Sequence, residues 1–400
     1  MTFLCISFYF KGTAFLEACA AAGNDVYLLT KKSLETKPWP WSSLTDTFYL
    51  EDDENTPANF EEMRKGVAWL LREKKVDRIV ALDDFDVEKA AYLREEFRIP
   101  GMGQTTARYF RDKLAMRMKA QEAGIPVPPF TGLFNNDEIN HFANTVAPPW
   151  VVKPRAEASA TGIQKVHNID DLWVAIHALE EKRPQYLVEQ FLPGDVYHVD
   201  VISQDGELVF CQASKYLNTP FEVAHGGGIF RSQTVPYNGV EDEALRNLTN
   251  QVMKAFGMQF SASHTEFIRS HADGHFYFLE TSSRVGGAHL AEMVEYASGI
   301  NLWAEWARLE SAVAREEAYE LPTVRKEHAG ILISLARFEN PDTSGFQDPE
   351  IVWRIDKPHH VGFIVKSTDR DRVTELLDQY AERVFNEFHA SAPAPDKPAD

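Results

Sequence analysis

Four hundred residues, 44% hydrophobic and 12% aromatic, suffice for two or three domains with buried cores and are too apolar for a disordered chain. A formal net charge of -19 gives no overall attraction for nucleic-acid phosphates or anionic lipid, so a nucleotide site would have to be a local basic patch. Cys5, Cys19 and Cys211 show no CxxC spacing and are odd in number, which argues for reduced thiols and a cytoplasmic setting. No stretch approaches the ~20 apolar residues that span a bilayer. The apolar run at 3–10 is strand-length, lacks a preceding basic residue and stops at Lys11, unlike a secretory leader.

The first hundred residues alternate between two patterns. Residues 2–9 read as a strand, 12–22 as a helix stopped by Gly23, and 26–30 as a second strand. A helix over 60–74, a strand over 76–82 and a helix through Glu95 follow, which is the rhythm of a parallel sheet with crossover helices. The first turn, Phe8-Tyr9-Phe10-Lys11-Gly12, lacks the GxGxxG of dinucleotide sites. A helix over 111–123 ends at Gly124, ahead of Pro126, Pro128 and Pro129. The pattern then turns β-rich, with strands at 150–153, 185–190, 196–203 and 207–213 and within 265–281, before a helix over 290–310. Residues 330–384 read as short strands closed by a helix from Arg372, and the tail from Ser391 reads as disordered.

Glu266 and Glu280 carry the sharpest inference. Residues 262–270 and 276–283 read as strands joined by His271-Ala-Asp-Gly-His275. A three-residue loop over 272–274, with Gly274 at the positive-φ position, pairs His271 with His275 and sets Glu266 opposite Glu280. Directly opposed residues share a face, with Cβ atoms roughly 5 Å apart. Two carboxylates so placed repel unless a cation lies between them, and hard divalent cations take carboxylate oxygens. A two-residue turn would put the pair on opposite faces and leave two unrelated solvated acids. Arg284 comes four residues after Glu280, followed by Val285-Gly286-Gly287, and an arginine there can stabilise a transferring phosphoryl group.

Lys153 ends an apolar strand ahead of a small-residue loop containing Ala156, Ser159, Ala160, Thr161 and Gly162. Such a loop lets backbone N–H groups approach an anion, although an ordinary hairpin loop has the same composition. Lys113, at the start of the preceding helix, reads alone as a surface lysine. Glu189 and Phe191 lie on a strand running into Gly194-Asp195. Glu189 and the backbone after it can read an adenine edge and Asp195 can hold ribose hydroxyls, or both acids simply face solvent. His225-Gly226-Gly227-Gly228 is a flexible loop with an ionisable tip. No GxSxG accompanies it, which removes an esterase oxyanion loop, and no PCxxC follows His264-Thr265-Glu266, which removes a zinc deaminase.

In order, these segments resemble the ATP-grasp superfamily. Lys113 precedes Gly124-Ile-Pro-Val-Pro-Pro129, Lys153 ends Val151-Val-Lys-Pro154, Val188-Glu-Gln-Phe-Leu-Pro-Gly-Asp195 follows, and Glu266 precedes Glu280-Thr-Ser-Ser-Arg-Val-Gly-Gly287. Asp83-Asp84-Phe85, the HGGG loop and the RVGG ending are most similar to the L-amino-acid ligases, and the carbamoyl phosphate synthase and biotin carboxylase branch is similar also. The resemblance covers 105–310. It implies an α/β plus α+β ATP-grasp fold with an N-terminal parallel α/β domain at 1–104, a catalytic domain at 105–310, a C-terminal β-rich region at 311–390 and a disordered tail at 391–400.

The resemblance also implies ATP with Mg²⁺ or Mn²⁺. Lys113 and Lys153 would bind phosphates beneath Ser159, Thr161 and Gly162, with Glu189 and Phe191 at the adenine and Asp195 at the ribose. Glu266, Glu280 and Ser282 would ligate metal, although the family usually has asparagine where Ser282 stands. Arg284 would face an acyl phosphate, His225 would guide the amine, and Gly226, Gly227, Gly228, Gly286 and Gly287 would surround the substrates. The implied activity is an ADP-forming ligase that joins a small carboxylate to an amine. A bicarbonate-activating enzyme and a non-catalytic ATP-binding protein are the alternatives. The expected partners are small molecules, with neither nucleic acid nor membrane, and a homodimer stays open.

Overall fold

A computed structural model of the chain describes residues 1–51, 60–157, 162–219, 223 and 227–391. The expectations for Ser159, Thr161, His225, Gly226 and the tail beyond Ser391 lie outside the described residues.

The N-terminal region is a parallel sheet of β1 (Thr2–Ile6), β2 (Asp25–Lys31), β3 (Asp46–Leu50) and β4 (Arg78–Ala81), in the order β3-β2-β1-β4. Helices α1 (Thr13–Ala21), α2 (Phe60–Leu70) and α3 (Val87–Phe97) pack about it. β1 stops three residues before the predicted end because Ser7 Oγ donates to Tyr9 O at 2.6 Å and bends the chain out of the sheet. Gly12 opens α1 at φ 78, and a Cβ there would lie 2.7 Å from Leu82 Cδ1. β3, a half-buried edge strand with only Phe48-Tyr49-Leu50 as its apolar run, is not among the strands expected from sequence.

After α4 (Gln104–Arg108), the Asp112 side chain caps α5 (Lys113–Glu122) by accepting from the Leu114 and Ala115 N–H groups. A small antiparallel sheet follows, formed by β5 (Phe130–Gly132), β6 (Trp150–Pro154), β7 (Gln164–Val166) and β8 (Tyr186–Gln190) in the order β5-β8-β6-β7. Its apolar face is covered by α6 (Asn136–Thr145) and α7 (Ile169–Ala178) around Trp150.

The remaining strands form one eight-stranded sheet. They are β9 (Gly194–Gln204), β10 (Glu207–Tyr216), β11 (Phe230–Thr234), β12 (Ser261–Ser270), β13 (Phe276–Ser282), β14 (His328–Leu335), β15 (Ile351–Arg354) and β16 (His360–Ser367). Their order is β13-β12-β9-β10-β11-β14-β16-β15, so the C-terminal strands extend the same sheet that carries Glu266 and Glu280. Helix α8 (Val240–Phe256) packs on this sheet. The helix expected over 290–310 is two helices, α9 (Leu290–Ser298) and α10 (Leu302–Arg315). Gly299, at φ 78, ends the first, and Asn301 Oδ1 accepts from Ala304 N–H to start the second. Trp306 of α10 shares a core with Phe3 and Val26 of the parallel sheet and with Ile202 and Phe210 of the large sheet. Helix α11 (Arg370–Glu387) closes the C-terminal end over β14 and β16. No helix among the described residues is long and apolar enough to cross a membrane.

Candidate functional site

The β12–β13 hairpin pairs Glu266 with Glu280, as the spacing predicts, but by another route. The loop has four residues, closed by Ser270 N–H to His275 O at 2.9 Å and Gly274 N–H to Ser270 O at 2.9 Å. On that loop alone Glu266 would miss Glu280 by one residue. A register shift between the Glu266 and Phe267 pairings inserts Leu279 as an extra residue and restores the opposition. Gly274 holds φ 73, the left-handed conformation assigned to it from sequence.

Two lysines converge on the same space from different elements. Lys113, at the start of α5, places Nζ 2.7 Å from Glu280 Oε2 and 2.7 Å from Glu157 O. Burial would raise the Glu280 carboxyl, but Lys113, with help from Lys153, holds it below its ordinary range. Lys153, on β6, is buried and ion-paired with Glu189 Oε1 on the adjacent strand β8. The other Glu189 oxygen lies 3.0 Å from Arg117 Nε. Arg117 also donates to Leu279 O, the bulge residue of β13. Burial pulls the Lys153 ammonium down to about 8, against the opposing pull of Glu189. Glu189 stays below its usual range because Arg117 and Lys153 outweigh its burial. With 4% exposure and both oxygens engaged, its carboxylate is committed to Arg117 and Lys153 and does not stand free for the adenine contact expected from sequence.

Arg284, just after β13, forms a buried ion pair with Asp84, which lies in the turn after β4. It also donates through Nη1 to Val285 O at 2.7 Å. Burial would raise Asp84, but Arg284 first and Arg111 next hold its carboxyl well below the usual range. Two residues on, Gly286 is needed for close packing: a Cβ there would stand 2.9 Å from both Asp200 Oδ1 and His264 Nδ1.

A buried chain of polar side chains lies under the floor. His198 Nε2 is 2.7 Å from Ser232 Oγ, His198 Nδ1 is 2.8 Å from Asp200 Oδ2, and His264 Nδ1 is 2.8 Å from Asp200 Oδ1. Glu266 Oε1 accepts from Tyr216 OH at 2.8 Å and lies 3.5 Å from His264 Nε2. Burial works against a charge on His264, but Asp200 and then Glu266 raise it to about 10.

These elements enclose a cavity of about 710 Å³. Its wall includes Lys113, Lys153, Glu189, Phe191, Gly194, Glu266, Glu280, Ser282, Arg284 and Gly287, contributed by both antiparallel sheets and α5. Asp84 and Arg111 reach it from the N-terminal side. Among the described residues, Gly162, Asp195, Gly227, Gly228 and Gly286 are not on the wall. Asp195 is tied instead to Lys215 Nζ at 2.8 Å, and a Cβ on Gly227 would meet Ser391 Cβ at 2.7 Å. Sequence reasoning missed Arg117, Asp200, His198 and Tyr216. Their signals were spacings: Arg117 lies one helical turn after Lys113, and His198 and Asp200 alternate on one face as His264 and Glu266 do.

A protein-family model described as the D-ala D-ala ligase C-terminus matches residues 120–280. The chain is 28% identical over 272 residues to the L-arginine-specific L-amino acid ligase of Bacillus subtilis, covering 66% of this chain and 64% of that protein. Its structure superposes on that of an L-amino acid ligase from Bacillus licheniformis with TM-score 0.75 at 18% identity, covering 97% of this chain and 98% of that one.

The chain has the ATP-grasp fold and resembles L-amino-acid ligases.

Two further comparisons agree with this fold. A D-alanine–D-alanine ligase of Neisseria meningitidis is 23% identical over 188 residues, covering 46% of this chain and 61% of that protein. The N5-carboxyaminoimidazole synthetase of Staphylococcus aureus, complexed with ADP, superposes with TM-score 0.70 at 15% identity, covering 95% of this chain and 96% of that one. The sequence matches thus span less than two thirds of the length of these curated relatives.

Proposed function

We propose that the cavity binds ATP with a divalent cation and that the protein is an ATP-dependent ligase. It would activate a small carboxylate, an amino acid or similar acid, as an acyl phosphate and join it to an amine with release of ADP and phosphate. The observation that carries this reading is the opposition of Glu266 and Glu280 in a cavity that also presents Lys113, Lys153 and Arg284. Two carboxylates and a hydroxyl, Ser282, are the hard oxygen donors that Mg²⁺ or Mn²⁺ takes, so the donor set fits such an ion. When bound, the cation would supply charge neutralisation for the phosphate oxygens.

In this reading Lys113 and Lys153 hold phosphate oxygens, and Arg284, oriented by Asp84, holds the acyl phosphate through its remaining N–H groups. Glu189 orients Lys153 and leaves adenine contacts to the backbone after β8 and to the wall residue Phe191. Asp195, next to the wall residue Gly194 and released from Lys215, would reach the ribose, and the loop through Ser159, Thr161 and Gly162 over the phosphates and the His225–Gly228 loop with Gly287 at the substrates complete it. Closure of the cavity around bound substrates would keep water from a labile acyl phosphate. The alternative in which bicarbonate is the activated acid has weaker support, because the sequence relatives are amino acid ligases.

The deciding experiment measures ADP, phosphate and ligated product together over pairs of amino acids. Product should require Mg²⁺ or Mn²⁺ and fall by roughly a hundredfold or more in Glu280→Gln, since a neutral amide binds a hard cation poorly. Undiminished turnover in Glu280→Gln would remove the metal assignment. ADP formation that depends on bicarbonate alone would replace the ligase with a carboxylase.

A further inference from the structure

The buried chain beneath the cavity has no part in the chemistry proposed above, yet it uses some of the most deeply buried polar side chains in the protein. His198 and Asp200 are fully buried on β9, and His264 is 9% exposed on β12. Ionised groups at such depth cost several kcal/mol each unless they are paired and hydrogen-bonded. Here every link is made: Ser232 to His198, His198 to Asp200, Asp200 to His264, and His264 toward Glu266. The cluster has the composition of a metal site, with ligand atoms within 4.8 Å of one another. Its geometry is that of hydrogen bonds, because each Nδ1 sits 2.8 Å from a different Asp200 oxygen. A zinc–nitrogen bond is about 2.0–2.1 Å, and one ion could not replace both contacts without breaking them.

The end of the chain is Glu266 Oε1. It accepts from Tyr216 OH at 2.8 Å and lies 3.5 Å from His264 Nε2, so a hydrogen bond from β10 and an ion-pair contact from β12 meet at the same oxygen. Among the described residues no hydrogen bond engages Oε2. We infer that Tyr216 and the chain Ser232–His198–Asp200–His264 are positioning residues that fix Glu266 so that it offers one oxygen, Oε2, to a cation in the cavity. This rests on the reading in which Glu266 is a metal ligand. Gly286 connects the device to the Arg284 segment, because its missing Cβ leaves room for the Asp200–His264 contact. Partners that orient metal ligands typically contribute 10–100-fold to metal affinity.

The test titrates Mn²⁺ by electron paramagnetic resonance into the full chain with a non-hydrolysable ATP analogue. Asp200→Asn, Tyr216→Phe and Gly286→Ala should each weaken Mn²⁺ by about tenfold. Metal-free affinity for the analogue should stay unchanged, and the activity loss should appear as a raised KM for Mg²⁺ that saturating metal overcomes. Gly286→Ala is the steric arm, since it disturbs the Asp200–His264 contact without removing a charge or a donor. If Asp200→Asn does not fold, Tyr216→Phe and Gly286→Ala carry the measurement, because both leave the buried anion in place. Glu266→Gln separates the two levels. Wild-type Mn²⁺ affinity in Tyr216→Phe and Gly286→Ala, with weak binding in Glu266→Gln, overturns the positioning role and leaves the metal assignment intact. Wild-type affinity in Glu266→Gln itself overturns both. One tightly bound zinc per purified chain would also overturn the inference by making the cluster a metal centre.

Discussion

Two sets of acidic side chains border the cavity, and the fold treats them differently. On the small sheet, Glu189 is buried between Arg117 and Lys153, and both its oxygens are engaged. On the large sheet, Glu266 and Glu280 stand opposite one another, two like charges that the hairpin register forces onto one face. The first arrangement is electrostatically closed: its anion is matched by two cations in the protein. The second is open: Lys113 pairs with Glu280, and Glu266 is met by a tyrosine and a histidine that, among the described residues, leave Oε2 without a hydrogen bond. A closed set stabilises and orients, whereas an open set is arranged for a charge that arrives from outside.

Removing a group from the cavity wall beside the open pair should cost activity, and at Arg284, whose loss leaves Asp84 buried without its cation, stability as well. Arg284 gives the largest effect: Arg284→Ala should lower kcat by about 10³-fold, on the scale of arginines that stabilise phosphoryl transfer. Arg284→Lys should not rescue it, because Asp84 and Val285 O grip a planar fork that an ammonium cannot reproduce. Near-wild-type turnover in the lysine variant, measured by phosphate release, would reduce Arg284 to bulk positive charge.

On the closed side the loss should be mainly of stability. Glu189→Ala leaves Arg117 and Lys153 buried together without their anion, which should destabilise the fold by about 3–5 kcal/mol. Denaturant unfolding monitored by tryptophan fluorescence reads this directly. Glu280→Gln loses the Lys113 ion pair along with the like-charge opposition, so it should destabilise the fold by less than about 1 kcal/mol, well short of the loss in Glu189→Ala. Equal stability losses in the two variants would erase the distinction between the two regions.

Much of this arrangement was legible in sequence wherever a local rule sets it. The parallel βα rhythm, the helix expected over 111–123 and found at Lys113–Glu122, and the sharing of one face by Glu266 and Glu280 all follow from spacing and turn chemistry. The register came from two departures that cancel, a loop one residue longer than expected and a bulge at Leu279. Neither is visible locally, because a bulge depends on what the neighbouring strand and Arg117 demand of that carbonyl. Glu189 is expected at an adenine edge, and its buried pairing is missed for a related reason. Its partners, Arg117 and Lys153, come from 72 and 36 residues away, and no periodicity within β8 says which acid turns inward. Asp84 pairs with Arg284 across 200 residues, so its role in the site is a property of the assembled fold alone.

The smallest expected effect sharpens the comparison most, because it titrates the closed set against the ligand. Lys153 is buried with an ammonium held down to about 8, faced by Glu189 from β8 and by Arg117 and Lys113 from α5. Burial and the two neighbouring cations lower it, and Glu189 raises it. Because its folded value lies below the ordinary lysine value, the unfolded chain binds more protons above about pH 8. This group's contribution to stability therefore rises with pH in that range and is flat below it. Nucleotide affinity has the reverse sign. Phosphate oxygens favour the charged form, so affinity should be constant from pH 6.5 to 7.5 and fall by about tenfold by pH 9, as the charged fraction drops by that factor. Calorimetry with a non-hydrolysable ATP analogue, repeated in buffers of different ionisation enthalpy, should show proton uptake on binding near pH 8.5. Lys153→Arg keeps its charge throughout, so it should bind more weakly at neutral pH and show neither the slope nor the uptake. Parallel slopes in wild type and Lys153→Arg would mean that another group titrates, and Lys153 would then serve only as the structural partner of Glu189.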